Sequence, residues 1–113
     1  MFLADKDILA EVKAGHITLE PFNPKQLQPA TYDIRLGNTF IVNDAYSTKA
    51  IDPAKGIYPQ TQTIEIADGE EFVLHPGVSI LGYSKERFGS DNFLIEVNGK
   101  SSLARIGLIV HNS

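Results

Sequence analysis

The chain contains no cysteine and only one methionine. Without cysteine there is no disulfide, no thiolate nucleophile and no cysteine-ligated zinc, and the composition fits a reducing compartment. Positive charge is scarce: 10 Lys and Arg stand against 14 Asp and Glu, giving a formal net charge of −4. A general binder of nucleic-acid backbone is normally basic, so that class is disfavoured. No apolar run approaches the ~20 residues of a membrane-spanning helix. The first residues carry Asp5, Lys6, Asp7 and Glu11 rather than a basic start and an apolar core, so no signal peptide is expected and the cytoplasm is the default compartment. No internal repeat, low-complexity tract or linker interrupts the chain, and 113 residues suit one domain with a modest core.

What is present reads as one short helix followed by many short strands. Asp5 is a plausible N-cap and Gly15 a plausible C′ residue, with Ile8, Leu9 and Val12 on one face for core or interface packing. Strands are expected at 16–19, 31–36, 39–42, 62–66, 72–74, 78–81 and 93–97. Gly37-Asn38 is expected to turn the chain, as are Ala67-Asp68-Gly69 and His75-Pro76-Gly77. Pro followed by Gly suits the middle of a type II turn, which gives His75 a structural role. Residues 43–60 are polar, carry Pro53, Gly56 and Pro59, and read as a surface loop rather than a lid. Short strands at turn-marked spacing point to a mainly β sandwich or barrel.

Residues 99–113 concentrate the chemistry. Gly99-Lys100-Ser101-Ser102 opens one helical turn ending near Arg105, and the apolar run that includes Ile109 and Val110 follows. Backbone amides, two hydroxyls and two cations within seven residues suit a triphosphate. A capped, solvated helix turn has the same composition, and the motif alone leaves both readings open.

Four stretches together resemble the N-terminal part of a dCTP deaminase, a family of the dUTPase-like superfamily. They are Leu3-Ala4-Asp5-Lys6-Asp7-Ile8, Gln28-Pro29-Ala30-Thr31-Tyr32-Asp33-Ile34-Arg35-Leu36-Gly37, Phe72-Val73-Leu74-His75-Pro76-Gly77, and residues 99–111. The resemblance implies a distorted β jelly roll, or β-clip, with a short N-terminal helix, assembled as a homotrimer with nucleotide sites between subunits. It implies dCTP binding by Lys100, Ser101, Ser102, Leu103, Ala104 and Arg105, with Ser101 and Arg105 also supporting the reaction centre. His111 matches a recurrent family position and is a candidate pocket residue. The reaction would be conversion of dCTP to dUTP and ammonia, supplying dUTP and dUMP for dTTP synthesis.

Hydrolytic deamination needs an activated water at C4, a proton for the ring and the leaving nitrogen, and stabilised developing charge. Zinc deaminases meet the first need with His and Cys ligands and a nearby Glu. His16, His75 and His111 are far apart in sequence, so a metal-free route and no tightly bound cofactor are expected. Magnesium is expected only with the nucleotide's phosphates. The resemblance places the family's catalytic Glu, its later strands and its C-terminal segment beyond Ser113. The expectation is therefore an N-terminal portion, whether split gene, intein-interrupted product, fragment or short paralogue, that pairs with itself or with a missing half. Glu96 and Asp33 do not match the catalytic carboxylate. Asp33 and Arg35 are expected to share a strand face, as an ion pair at an interface or, less favoured, as a site-lining pair. At 88–92 the chain departs from the family's Leu-Pro-containing turn, so the strand entering the motif is expected to start differently. Three functions stay open: a dCTP deaminase, a bifunctional deaminase-dUTPase, and a non-catalytic oligomerisation or regulatory module.

Overall fold

The computed structural model describes residues 1–44 and 50–111. It is mainly β, with a short N-terminal helix and antiparallel sheets. Residues 45–49 of the 43–60 loop lie outside the described residues, and Pro53–Lys55 within it form a short 3-10 turn. Two compact units are present, Met1–Asp33 with Arg87–Ser113, and Ile34–Glu86. Among the described residues no helix is long and apolar enough to cross a membrane.

The first unit is built on helix α1, Asp5–Lys13, and the two-stranded sheet of β1, Thr18–Glu20, with β5, Arg87–Gly89. Two acidic residues in the first turn of α1 and Lys13 in the last complement the helix dipole. Ala4, not Asp5, stands at the N-cap, and Asp5 instead donates its backbone N–H to the Pro29 carbonyl at 2.9 Å. Gly15 has a φ of 80°, a conformation that ends the helix at little steric cost. Ile8 from α1 and Ile17 and Leu19 around β1 form the core cluster, against which Val12, Phe22, Leu27, Tyr32, Phe88 and Phe93 pack.

Two expectations fail in this unit. Residues 31–35 form no strand, only a bridge between Leu27 and Tyr32, because hydrogen bonds with Gln26 tie Asp33 back to the preceding loop. Residues 93–97 also form no strand. β5 ends at Gly89, and Ser90 Oγ then accepts from the N–H groups of Asn92 and Phe93 at 3.1 and 3.0 Å, turning the chain out of the ladder. The departure at 88–92 is therefore a strand end capped by Ser90.

The second unit is a three-stranded antiparallel sheet of order β3-β2-β4, where β2 is Leu36–Asn43, β3 Thr61–Glu65 and β4 Ile80–Ser84. Phe40, 1% exposed, lies opposite Ile64 on one side and Gly82 on the other, and its ring stacks on Phe72 at 4.1 Å. The turn at 76–77 is as expected: Val78 N–H donates to the His75 carbonyl at 3.2 Å and Gly77 has a φ of 79°. Gly37-Asn38 is not a turn. Both residues lie inside β2, where the register with β4 shifts between Leu36 and Phe40. A Cβ on Gly37 would sit 2.8 Å from the Tyr83 carbonyl oxygen, so glycine here admits a close backbone approach. Asn38 instead donates from Nδ2 to Asp68 Oδ1 at 2.7 Å. That bond, followed by the nearby Lys85 ammonium, holds the Asp68 carboxyl below the usual carboxylate range.

The two ends of this unit are tied by a buried carboxylate. The Glu86 side chain is 0% exposed; it accepts from Arg35 N–H at 2.8 Å and from Arg35 Nε at 2.6 Å. Lys85 N–H donates to the Arg35 carbonyl at 2.9 Å, and Ser84 Oγ donates to the Glu86 carbonyl at 2.6 Å. Taking a carboxylate out of water costs several kcal/mol, which only such a set of donors offsets.

Three outcomes follow from this architecture. Arg35→Ala leaves Glu86 without its guanidinium and lowers unfolding free energy by about 2 kcal/mol in urea titration, the scale of a hydrogen bond to a charged group. No shift in the urea midpoint contradicts the clasp. Gly37→Ala forces β2 and β4 apart and costs about 1–3 kcal/mol by the same assay. A carboxyl NMR titration finds the Asp68 midpoint depressed, and Asn38→Ala raises it. Because the folded value is the lower one, the linked stability is present above the unfolded pKa and is lost as pH falls through the folded one.

Candidate functional site

Residues 99–111 form one turn of helix flanked by extended chain. Helix α2, Ser101–Ala104, starts from Lys100, whose φ of −80° and ψ of 150° are extended and whose carbonyl accepts from the N–H groups of Leu103 and Ala104 at 3.1 and 3.0 Å. Arg105 N–H donates to the Ser101 carbonyl at 3.0 Å, so the helical turn ends at Arg105 as expected. Gly107, with a φ of 87°, then reverses the chain, and Leu108 N–H returns to the Leu103 carbonyl at 3.0 Å. A Cβ placed on Gly99 would come within 3.4 Å of Val110, so the returning run passes directly over the start of the motif. The extended run of 108–110 forms no strand among the described residues.

The polar side chains of the motif lie at the surface. Ser101, Ser102 and Arg105 are exposed, whereas Leu103 and Leu108 are half-buried and anchor the turn. Ser101 and Arg105 are four residues apart on a helical turn and therefore share a face. One hydroxyl and one guanidinium on a common face suit recognition of an anion with a reacting group beside it. His111 is exposed at the end of the returning run, and His75 is exposed at its turn in the other unit.

Lys100 has a defined partner. Its Nζ donates to Asp33 Oδ2 at 2.7 Å, across 67 residues of sequence. Gln28 Nε2 donates to the same oxygen at 3.1 Å. The expected Asp33–Arg35 pair does not form: Asp33 is engaged by Lys100 and Gln28, and Arg35 by Glu86. The residues 31–35 are not a strand, so the two-residue spacing does not put both side chains on one pleated face. Glu86 and Gln28 are polar residues that the sequence reading left without a role. Gln28 lies inside a recognised motif, while Lys85-Glu86-Arg87 looks like an ordinary solvated charge run.

Among the described residues no three or more His, Cys, Asp or Glu side chains gather closely enough to hold a metal ion. Two open grooves occur in the second unit, one along Gly37, Thr39, Tyr83 and Ser84 and one between Asn38, Phe40, Asp68 and Phe72. Neither includes residues 100–105. Large apolar side chains are also exposed in this part of the chain: Leu94, Ile106 and Ile109 are 91%, 78% and 86% exposed.

A family model described as dCTP deaminase-like matches residues 2–113. The dCTP deaminase, dUMP-forming, of Salinispora tropica is 41% identical over 114 residues, covering 100% of this chain and 59% of that protein. The protein of the same name from a Nocardioides species is 42% identical over 112 residues, covering 98% of this chain and 59% of its own length. That of Clavibacter michiganensis is 41% identical over 114 residues and is covered over 57% of its length. The chain thus spans less than two thirds of these relatives. The family match runs through all four motifs, from the first helix to the turn at Lys100, and the chain belongs to the dCTP deaminase-like family.

Proposed function

We propose that this chain supplies the triphosphate-binding part of a cytoplasmic enzyme that deaminates dCTP and releases dUMP. The observation that carries the proposal is the turn at 100–105, with exposed Ser101, Ser102 and Arg105 on a helical turn anchored by half-buried Leu103 and opened by Lys100. The names of the relatives, dCTP deaminase, dUMP-forming, support the product. This narrows the expectation of dUTP as the end product to dUTP as an intermediate, the bifunctional alternative. Water adds at C4 of the ring and ammonia leaves, giving dUTP; a second water cleaves between the α- and β-phosphates, giving dUMP and pyrophosphate.

In this proposal the amides and side chains of 100–105 bind the phosphates. Ser101 positions the attacking water or the ring, and Arg105 stabilises developing negative charge from the same helical face. The proton-shuttling carboxylate is assigned neither to Glu96, which is exposed, nor to Asp33, which is held by Lys100. Magnesium reaches the site on the nucleotide's phosphates and waters, which fits a motif whose neighbouring carboxylate, Asp33, is already paired. A second subunit, in a homotrimer, or a further segment covers the site. The exposed Leu94, Ile106 and Ile109 support such a cover, since large apolar side chains at a surface favour association.

The native protein that contains this chain, incubated with dCTP and magnesium, is expected to release ammonia and pyrophosphate and to yield dUMP on chromatography. Accumulation of dUTP without pyrophosphate assigns deamination alone, and unchanged dCTP favours a non-catalytic module. Arg105→Ala is expected to lower kcat by about a hundredfold, the scale of losing one charge-stabilising donor. Normal turnover in that variant removes Arg105 from the site.

A further inference from the structure

Asp33 is the more enclosed and more heavily bonded half of the pair, and Lys100 the more exposed. The Asp33 backbone is held on both sides by Gln26: its N–H donates to the Gln26 carbonyl at 2.8 Å, and Gln26 Nε2 donates to the Asp33 carbonyl at 2.7 Å. Its neighbour Tyr32 stacks on Phe22 with ring centres 5.4 Å apart, and the Tyr32 hydroxyl accepts from Asn23 N–H at 2.9 Å. Gln28 adds a bond to the same carboxylate oxygen that holds Lys100. The Asp33 side chain is 25% exposed and that of Lys100 60%. Lysine reaches its partner on a four-carbon stem with three rotatable donors. Lys100 is therefore the half of the pair better able to change partner.

We infer that Asp33 is a positioning residue that acts through Lys100: it competes with phosphate for the ammonium, and a phosphate chain must take Lys100 from it in order to bind. This rests on the reading of 100–105 as the phosphate site and adds a residue to it. The energetic scale makes exchange feasible. A partly exposed ion pair contributes about 0–1 kcal/mol, whereas a polyphosphate brings several negative charges and more acceptor oxygens than one carboxylate. The carboxylate acts as a competitor that weakly charged anions displace poorly. Its removal consequently has an unusual sign. Loss of a merely structural contact weakens binding, whereas loss of a competitor strengthens it.

The test is calorimetric titration of the native protein with inorganic tripolyphosphate, which carries the recognised charge and no base, at physiological salt. Asp33→Asn is expected to tighten binding by about two- to fivefold, the equilibrium equivalent of the pair. Lys100→Ala is expected to weaken binding, and Asp33→Asn placed on Lys100→Ala is expected to give no gain, because the competitor then has nothing to withhold. Binding that is weaker or unchanged in Asp33→Asn, with the thermal midpoint retained, overturns the inference and leaves the phosphate site standing. A gain that persists without Lys100 also overturns it, since the effect is then a general field. If Lys100→Ala binds as the wild type does, the assignment of Lys100 to the phosphates fails and the inference fails with it. Should Asp33→Asn not fold, Asp33→Ser removes the charge, retains a hydroxyl beside Gln28, and carries the same expectation.

Discussion

The second unit depends on one buried carboxylate. Glu86 has no exposed side-chain surface and accepts from both the backbone and the side chain of Arg35, 51 residues earlier. These two residues lie at the ends of the segment Ile34–Glu86, so the bond closes the unit where the chain enters and leaves it. Arg35 forms two contacts to one carboxylate, which gives direction as well as attraction. Around this clasp the backbone pairs in order: Lys85 to Arg35, Leu36 to Ser84, then the ladder through Phe40 and Gly82. The glycine that permits the closest approach, Gly37, stands two residues from Arg35, where β2 and β4 converge.

The first unit uses a carboxylate differently. Asp33 is two positions before Arg35, yet it is not buried and its partner is the cation that opens α2. Glu86 is fully buried while Arg35 is half exposed, and a buried carboxylate is costly to leave without its donors. A partly exposed pair is worth little either way and exchanges partners readily. Two acid–base pairs near one point in the sequence thus differ chiefly in how deeply the carboxylate is buried. The more exposed one includes Lys100, which opens the turn that carries Ser101 and Arg105.

Much of the local structure was legible in the residues. Helix α1, strand β3, the turn at Pro76-Gly77 and the single helical turn at 101–104 all follow from short-range rules: periodicity, alternation, and the positive φ that glycine adopts cheaply. The family was legible too, because four ordered motifs survive in one chain and the match covers 2–113. Gly37-Asn38 misled for a definite reason. Glycine followed by asparagine is a strong hairpin signal, but glycine also serves where another backbone must pass, and only the position of Tyr83 separates the two. Residues 93–97 have the composition of a strand, but the Ser90 hydroxyl takes the N–H groups just before them and the ladder ends.

By itself the sequence determined the mainly β class with one short helix, the placement of the turn at Lys100, and membership of the dCTP deaminase-like family. Each of these is carried by neighbouring residues or by an ordered set of motifs. Tertiary structure alone decided the partners of the charges. Asp33 meets Lys100 across 67 residues and Arg35 meets Glu86 across 51. Charges at such distances along the chain are joined by the path of the backbone, and that path is set by burial of Phe40 in one unit and of Ile8, Ile17 and Leu19 in the other. Burial is a sum over the whole fold, so no local pattern around Asp33 or Arg35 records which cation or carboxylate each will find.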